Sequence, residues 1–385
     1  MSVDAHGEPT PLRLVSAGDT HIGGREHNED SVLLRPDLNL YMVADGAGGH
    51  NAGNVASLLA TGTVAHHFES TLEEAKMAPP FDDMGLSWGA RRLATAFQRA
   101  NLEVIEIAQA SESKKGMGTT LVAAYFDLEN AMMVLGHVGD SRCYRLRDGR
   151  LERLTTDHTL INDVLEMRPD IDRESAAKLP RNVITNALGM DPQVRVSVRT
   201  HELAPGDRYL LCSDGLTDEV DDGQLQQGLQ LASSPEEAVR LLIDLATDGQ
   251  PRDNVAVVSL ACRLAPGVAK LPESPVPPRR RYPDDAVVLV DGEEDEEIFE
   301  VILIDADEED FEEAAVPPPL EEAGSAAAEG DLDEALAFVE DEALLDEDDD
   351  DGPVLEIVEE RASTRTERLR RRRPDETVIT KNDKR

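Results

Sequence analysis

Apolar positions along the first 264 residues follow two rhythms. Short runs rich in branched and aromatic residues stop at Gly, Asp or Asn: LRLVSAG, DSVLLRP, NLYMVAD, TTLVAAYF, AMMVLGHVG, CYRLR, RVSVRT, RYLLCSD and NVAVVSLA. These predict β-strands. LRDGRLERL predicts a hairpin turning at Asp148-Gly149. Three longer stretches carry a helical period. Residues 52–68 align Val55, Leu58, Leu59 and Val64; residues 89–110 align Leu93, Phe97, Leu102, Ile105 and Ala108; residues 235–247 align Ala238, Leu241, Leu242 and Leu245. Many strands with few helices between them predict antiparallel sheets covered by helices, not a wound parallel sheet.

The rhythm stops near residue 264. Residues 265–283 hold six prolines and read as a linker. Residues 264–385 carry 39 Asp and Glu against 14 Lys and Arg, with apolar islands AVVLV, IFEVILI, ALAFV and VLEIV. A disordered acidic tail is expected there, ending in the basic run RLRRRRPDETVITKNDKR. The expected division is an N-terminal extension at 1–11, a domain at 12–264, the linker at 265–283 and the tail at 284–385.

The net charge of −41 argues against nucleic acid or an anionic membrane as partner. The first residues form no apolar leader and no run nears the ~18 residues of a membrane span, so a cytoplasmic protein is expected. Cys143, Cys212 and Cys262 show no CxxC spacing, and no arginine follows any of them by six residues. Thiolate zinc and a cysteine-based phosphatase loop are thereby set aside.

The chemistry lies in aspartates at strand ends. GAGGHNAG after Asp45 matches neither GxGxxG nor a Walker loop. Instead, apolar runs end in Asp45, Asp140 and Asp214, Asp253 precedes one, and Glu29-Asp30 opens another. Any single Asp-Gly is as readily a plain turn, as Asp148-Gly149 shows. Five acidic positions at strand ends converge if those strands are neighbours. Crowded carboxylates repel unless cations neutralise them, and an all-oxygen ligand set suits Mg²⁺ or Mn²⁺.

Taken in order, REHNED, VADGAGGHNAG, GMGTTL, VGDSRCYRLRDG, LTTDHTL, RNVITNALG, LLCSDGLTD and RDNVAVV resemble the metal-dependent serine/threonine phosphatase family, the protein phosphatase 2C-like or PPM group, in its bacterial form. The resemblance spans residues 13–261. It implies an α+β fold: two face-to-face antiparallel sheets with helices on both outer faces. It also implies two Mn²⁺ or Mg²⁺ ions and a third, weaker one. Asp45 would bridge two ions, with the Gly46 carbonyl on one. Asp214 and Asp253 would complete the first shell, and Glu29 and Asp30 would serve the second. Asp140 and Asp218, with Asp214, would hold the third. Arg25 would bind the substrate phosphate through its planar fork. The attacking group would be a water activated between two cations, so no phosphoenzyme is expected. Gly46, Gly48 and Gly49 would let the backbone pass close to the ions.

Animal members carry histidine directly after this Asp-Gly, where Ala47 stands here. The leaving-group acid is therefore open between His50 and a metal-bound water, and packing or helix capping is the other role for His50. Ser141 and Ser213 read as loop hydrogen-bonders, and residues 157–181 resemble the family's flap beside the active site. The expected partners are phosphorylated proteins and an opposing bacterial Ser/Thr kinase. A phosphorylated Thr377 or Thr380 could dock on a forkhead-associated domain. The tail could instead damp activity, or only solubilise. Two rival functions remain: a catalytically silent phosphoprotein-binding module of the same fold, and a phosphatase for an anti-anti-sigma-type regulator.

Overall fold

The computed structural model describes residues 12–268 apart from 50–51, 82–85, 177, 181 and 250, together with residues 285–290 and 299–303. All of them belong to the first of two units into which the chain divides, Met1–Phe311 and Glu312–Arg385. The chain opens with β1 (Leu12–His21), β2 (Ser31–Arg35), β3 (Leu40–Ala44) and the two-residue β4 (Gly46–Ala47). Helices α1 (Ala52–Ser70), α2 (Leu72–Met77) and α3 (Trp88–Gln109) follow. Next come β5 (Gly118–Thr119), β6 (Leu121–Asp127), β7 (Met132–Val138), β8 (Arg142–Arg147) and β9 (Arg150–Arg153). After α4 (Leu160–Met167) and α5 (Arg173–Ala176) the chain returns in β10 (Arg195–Glu202) and β11 (Arg208–Cys212). Helices α6 (Asp214–Thr217), α7 (Asp222–Leu231) and α8 (Pro235–Thr247) precede β12 (Val255–Leu264), β13 (Asp285–Val290) and β14 (Phe299–Leu303).

Two large antiparallel sheets result, with strand orders β1-β12-β11-β8-β9 and β14-β13-β10-β7-β6-β3-β2. Successive strand residues point to opposite faces, and both faces of the central strands are buried. In β3, Tyr41 and Val43 enter the core between the sheets, whereas Leu40, Met42 and Ala44 face the core under α1 and α3. In β12, Ala256 and Val258 face the other sheet while Val255 and Val257 face the core under α7 and α8. This explains why the strands read as near-continuous apolar runs. It is the expected α-β-β-α sandwich. Tyr41, Phe126 and Tyr209 cross the middle as an edge-to-face chain, with centroids 5.8 and 5.5 Å apart.

Local signals set the element ends. Ser87 caps α3 by accepting the Ala90 N–H, and Ser234 caps α8 just before Pro235. Asp148 and Gly149 both have positive φ, as a type I′ hairpin turn requires.

Two expectations need correction. Leu58, placed on the inner face of the first helix, is 56% exposed. Helix α1 buries Val64 as expected, and Phe68, but its N-terminal half buries small residues, Ala52, Gly53, Ala56, Ser57, Ala60 and Thr61. Two apolar islands assigned to the tail are strands: β13 pairs antiparallel with β10, Val288 opposite Val196, and β14 pairs with β13. The remainder of the expected tail, including Thr377 and Thr380, lies outside the described residues.

Candidate metal centre

One end of the sandwich collects the acidic residues. Asp30 immediately precedes β2, Asp45 follows β3, Asp140 follows β7, Asp214 begins α6 after β11, and Asp253 lies two residues before β12. Register makes these ends neighbours: Ser31 pairs with Ala44, Arg142 with Cys212, and Cys212 with Val257. Stacking of the two sheets then brings the sets together. Ser213 Oγ donates to Asp30 Oδ2 at 2.8 Å and accepts the Ala256 N–H at 2.9 Å. The Asp45 carboxyl lies near enough to those of Asp30 and Asp214 to feel both charges.

The backbone around Asp45 is fixed by the GMGTTL segment. Thr119 Oγ1 and the Thr120 N–H donate to the Asp45 carbonyl at 2.7 and 2.8 Å, and the Asp45 N–H donates to Thr120 Oγ1 at 3.1 Å. Thr120 Oγ1 also hydrogen-bonds Ser141 Oγ at 2.7 Å, joining this turn to the one carrying Asp140.

Burial and mutual repulsion make the cluster hold protons. Burial, then the charges of Asp214 and Asp253, pushes Asp30 up to about 7 against the pull of the Ser213 hydroxyl. Asp45 lies well above the usual carboxylate range through burial and the charges on Asp30 and Asp214. Asp140 is raised to about 7 by burial, then by Asp214 and Asp157. Asp214 is also raised, mainly by burial, and Asp218, mainly by partial desolvation.

These residues fit a divalent cation. Asp30 Oδ1, Asp140 Oδ1 and Asp214 Oδ1 are buried with no hydrogen-bond partner. Orphaned carboxylate oxygens in the interior are costly, and hard cations are the ligands that match them. Among the described residues no three His, Cys, Asp or Glu side chains already surround a common point. The carboxyls raise one another's affinity for protons, and a bound cation would relieve that repulsion.

Not every expected residue points into the cluster. Arg25 reaches it, but Nη2 donates to Asp253 Oδ2 at 2.6 Å and Nε to the Arg252 carbonyl at 3.2 Å. Glu29 accepts the Gly53 N–H at the start of α1 at 3.1 Å. Asp218 is exposed, one turn after Asp214, whose carbonyl accepts its N–H at 2.8 Å. His50 lies outside the described residues. Gly46 is required by close approach: a Cβ there would sit 2.1 Å from the Gly53 carbonyl oxygen. Gly49 has nothing within 4 Å of such an atom, so the close-approach reading does not extend to it.

Some partners were not legible beforehand. Asn254, buried, accepts the Glu29 N–H at 2.9 Å and donates to the carbonyls of Ile22 and His27 at 2.7 and 2.9 Å. Arg142 makes a bidentate pair with Asp157. The one available hint was a polar residue adjoining each aspartate, in RDN and GDSR.

A two-sheet sandwich with a carboxylate cluster at one end defines a class of metal-dependent phosphatase domains. The protein phosphatase 2C family model matches residues 17–247, and the chain belongs to that family. It is 37% identical over 234 residues to "Serine/threonine protein phosphatase PstP" of Mycobacterium tuberculosis, a match covering 61% of this chain and 42% of the relative. The chain thus spans less than half the length of that relative. It is 33% identical over 243 residues to "Serine/threonine phosphatase stp" of Listeria monocytogenes, covering 61% of this chain and 90% of the relative. Among solved structures, the catalytic domain of PstP in complex with two manganese ions matches with a TM-score of 0.54 and 35% identity. That match covers 66% of this chain and 99% of the solved one. Serine/threonine phosphatase Stp1 from Staphylococcus aureus matches with a TM-score of 0.55 and 30% identity, covering 68% and 97%. Among the described residues no helix is long and apolar enough to cross a membrane.

Proposed function

We propose that this chain is a metal-dependent protein phosphatase that hydrolyses phosphoserine and phosphothreonine in proteins, opposing a bacterial Ser/Thr kinase. The observation that carries the reading is the trio of buried, unpartnered oxygens on Asp30, Asp140 and Asp214, crowded by the charge of Asp45. A binding module has no need for so costly a cluster. The family match and the manganese-containing relative support the choice of Mn²⁺ or Mg²⁺.

In this reading Asp45 and the Gly46 carbonyl would serve both ions, Asp214 and Asp253 would hold one, and Glu29 and Asp30 the other. Asp140 and Asp218, with Asp214, would hold a weaker third. Bound there, the cations supply the positive charge that activates water and offsets charge building on the phosphoryl oxygens. The chain's own residues do the rest. Thr119 and Thr120 hold the Asp45 backbone still, and Ser213 orients Asp30. Arg25 releases Asp253 and turns its fork to the substrate phosphate. No described serine or cysteine is needed as a nucleophile: Ser213 Oγ is engaged by Asp30 and Ala256, and the three cysteines are buried.

Turnover of p-nitrophenyl phosphate and of a phosphothreonine peptide tests this with Mn²⁺, Mg²⁺ or chelator, comparing the parent with Asp45→Asn. Metal-dependent hydrolysis of both substrates, lost in the variant, is expected. Activity surviving both chelation and the substitution would remove the proposal.

A further inference from the structure

Between β9 and β10 the chain makes an excursion that carries α4 and α5. It leaves and returns side by side: the Leu160 N–H donates to the Val183 carbonyl at 2.9 Å and the Thr185 N–H to the His158 carbonyl at 3.1 Å. Helix α4 buries none of its residues, leaving Leu165 40% and Met167 72% exposed. Its root adjoins the carboxylate cluster because Asp157 is held by Arg142, two residues after Asp140.

His158 sits at this junction, 5% exposed. Its Nδ1 faces the Gly139 N–H at 3.2 Å and the Asn186 Nδ2 at 2.7 Å. Both are donors without a usable lone pair, so Nδ1 accepts and carries no proton. Burial favours the uncharged ring. The proton therefore resides on Nε2, which donates to Ser197 Oγ on β10 at 2.9 Å. His137 stacks on the same ring with centroids 4.7 Å apart, limiting its rotation. The His158 N–H donates to the Gly139 carbonyl at 3.0 Å, closing a second link to that turn. Gly139 itself has φ +95°, the left-handed region. One imidazole thus ties together the turn carrying Asp140, the returning limb of the excursion and the sheet.

We propose that His158 is a positioning residue that fixes the 157–186 excursion beside the carboxylate cluster, so that polypeptide substrates feel its loss far more than small phosphate esters. A small ester reaches the cluster from solvent. A phosphorylated polypeptide also extends beyond the cluster, past the excursion rooted beside it at Asp157. Alanine at 158 strands three polar groups at once and leaves a void. Asparagine places an amide oxygen near the Nδ1 position, so it restores the link to Gly139 and Asn186 while giving up the one to Ser197.

The substrate half of this inference rests on the phosphatase reading; the positioning half does not. The test compares the parent, His158→Ala and His158→Asn as full chains. The readouts are the rate of trypsin cleavage after the exposed Lys178, which precedes Leu179, KM for a phosphothreonine peptide, and kcat for p-nitrophenyl phosphate with Mn²⁺. We expect His158→Ala to be cleaved about tenfold faster and to raise peptide KM about tenfold, with kcat on the small ester within about threefold of the parent. His158→Asn recovers most of both effects. Parent-like cleavage and KM in the alanine variant would overturn the inference. So would a KM rise without faster cleavage, or an equal loss on both substrates. If the parent hydrolyses neither substrate, the phosphatase reading falls and cleavage rates alone decide the positioning role.

Discussion

Arg25 Nη2 lies 2.6 Å from Asp253 Oδ2, so the guanidinium expected to meet a phosphate also neutralises one carboxylate of the cluster. The pair is partly exposed, at 54% and 32%, and such pairs are worth about 1 kcal/mol or less. Removing Arg25 frees Asp253 and raises the local negative charge. Arg25→Ala should bind Mn²⁺ about two- to fivefold more tightly by calorimetry. The same variant should lose about tenfold or more in kcat/KM on a phosphopeptide, because the bidentate contact is gone. Arg25→Lys keeps the charge without the fork and should recover the parent's metal affinity more fully than its turnover.

Asp45 exists at a cost to the metal-free fold, since burial and two neighbouring carboxylates disfavour its charge. Asp45→Asn should raise the stability of the chelated protein by about 1–3 kcal/mol. In Mn²⁺ it should lower kcat by about a hundredfold or more. Thermal melts in chelator and in Mn²⁺ check the sign: the parent gains from metal and the variant gains little.

Stability against pH should depend on metal. Burial lowers His67, His137 and His201 to about 4 and His158 to about 2. The folded state resists protonating these rings, so their contribution is complete above about 6.5 and is lost as pH falls through the folded values. Nearby cations assist burial: Arg99 and Arg92 at His67, Arg199 and Arg145 at His201, and Arg195 at His158. At His137, Asp157 and the Thr156 carbonyl oppose it. Asp30 and Asp140, raised to about 7, act in the opposite sense: their contribution is complete below 3.8 and is lost as pH rises through 7. A bound cation keeps those carboxyls ionised and removes that contribution. Urea unfolding between pH 4.5 and 7.5 should therefore show a steep acid-side loss with Mn²⁺ and a shallower one with chelator.

Two glycines of α1 should respond oppositely to alanine. At Gly53 a Cβ would lie 2.6 Å from the Gly46 carbonyl and 2.8 Å from Glu29 Cδ, whereas at exposed Gly62 nothing lies within 4 Å. Gly62→Ala should stabilise by about 0.5–1 kcal/mol through helix propensity. Gly53→Ala should destabilise by about 1–3 kcal/mol from overpacking and should weaken Mn²⁺ binding, since it displaces Gly46 and Glu29. Denaturation of both variants, with Mn²⁺ calorimetry on the second, separates the outcomes.

Strand positions were legible because each central strand is apolar on both faces, a pattern that survives without knowledge of its neighbours. The face of α1 was not. Hydrophobicity pointed to Leu58, but a helix lying close to a sheet buries alanine, serine and glycine, which carry little hydrophobic signal. The islands at 285–290 and 299–303 failed for a related reason: pairing to β10 is a backbone event, and acidic surroundings masked it.

The chain by itself determined that aspartates stand at the ends of buried strands, since an apolar run followed by a charged residue and glycine is a local pattern. The order of its motifs also specified the family. Tertiary structure alone decided which oxygens lack partners, that Arg25 lies on Asp253, and that one neutral imidazole joins Gly139, Asn186 and Ser197. These depend on distances between residues up to 228 positions apart. Such distances are set by sheet register and by the stacking of two sheets, which no local pattern encodes.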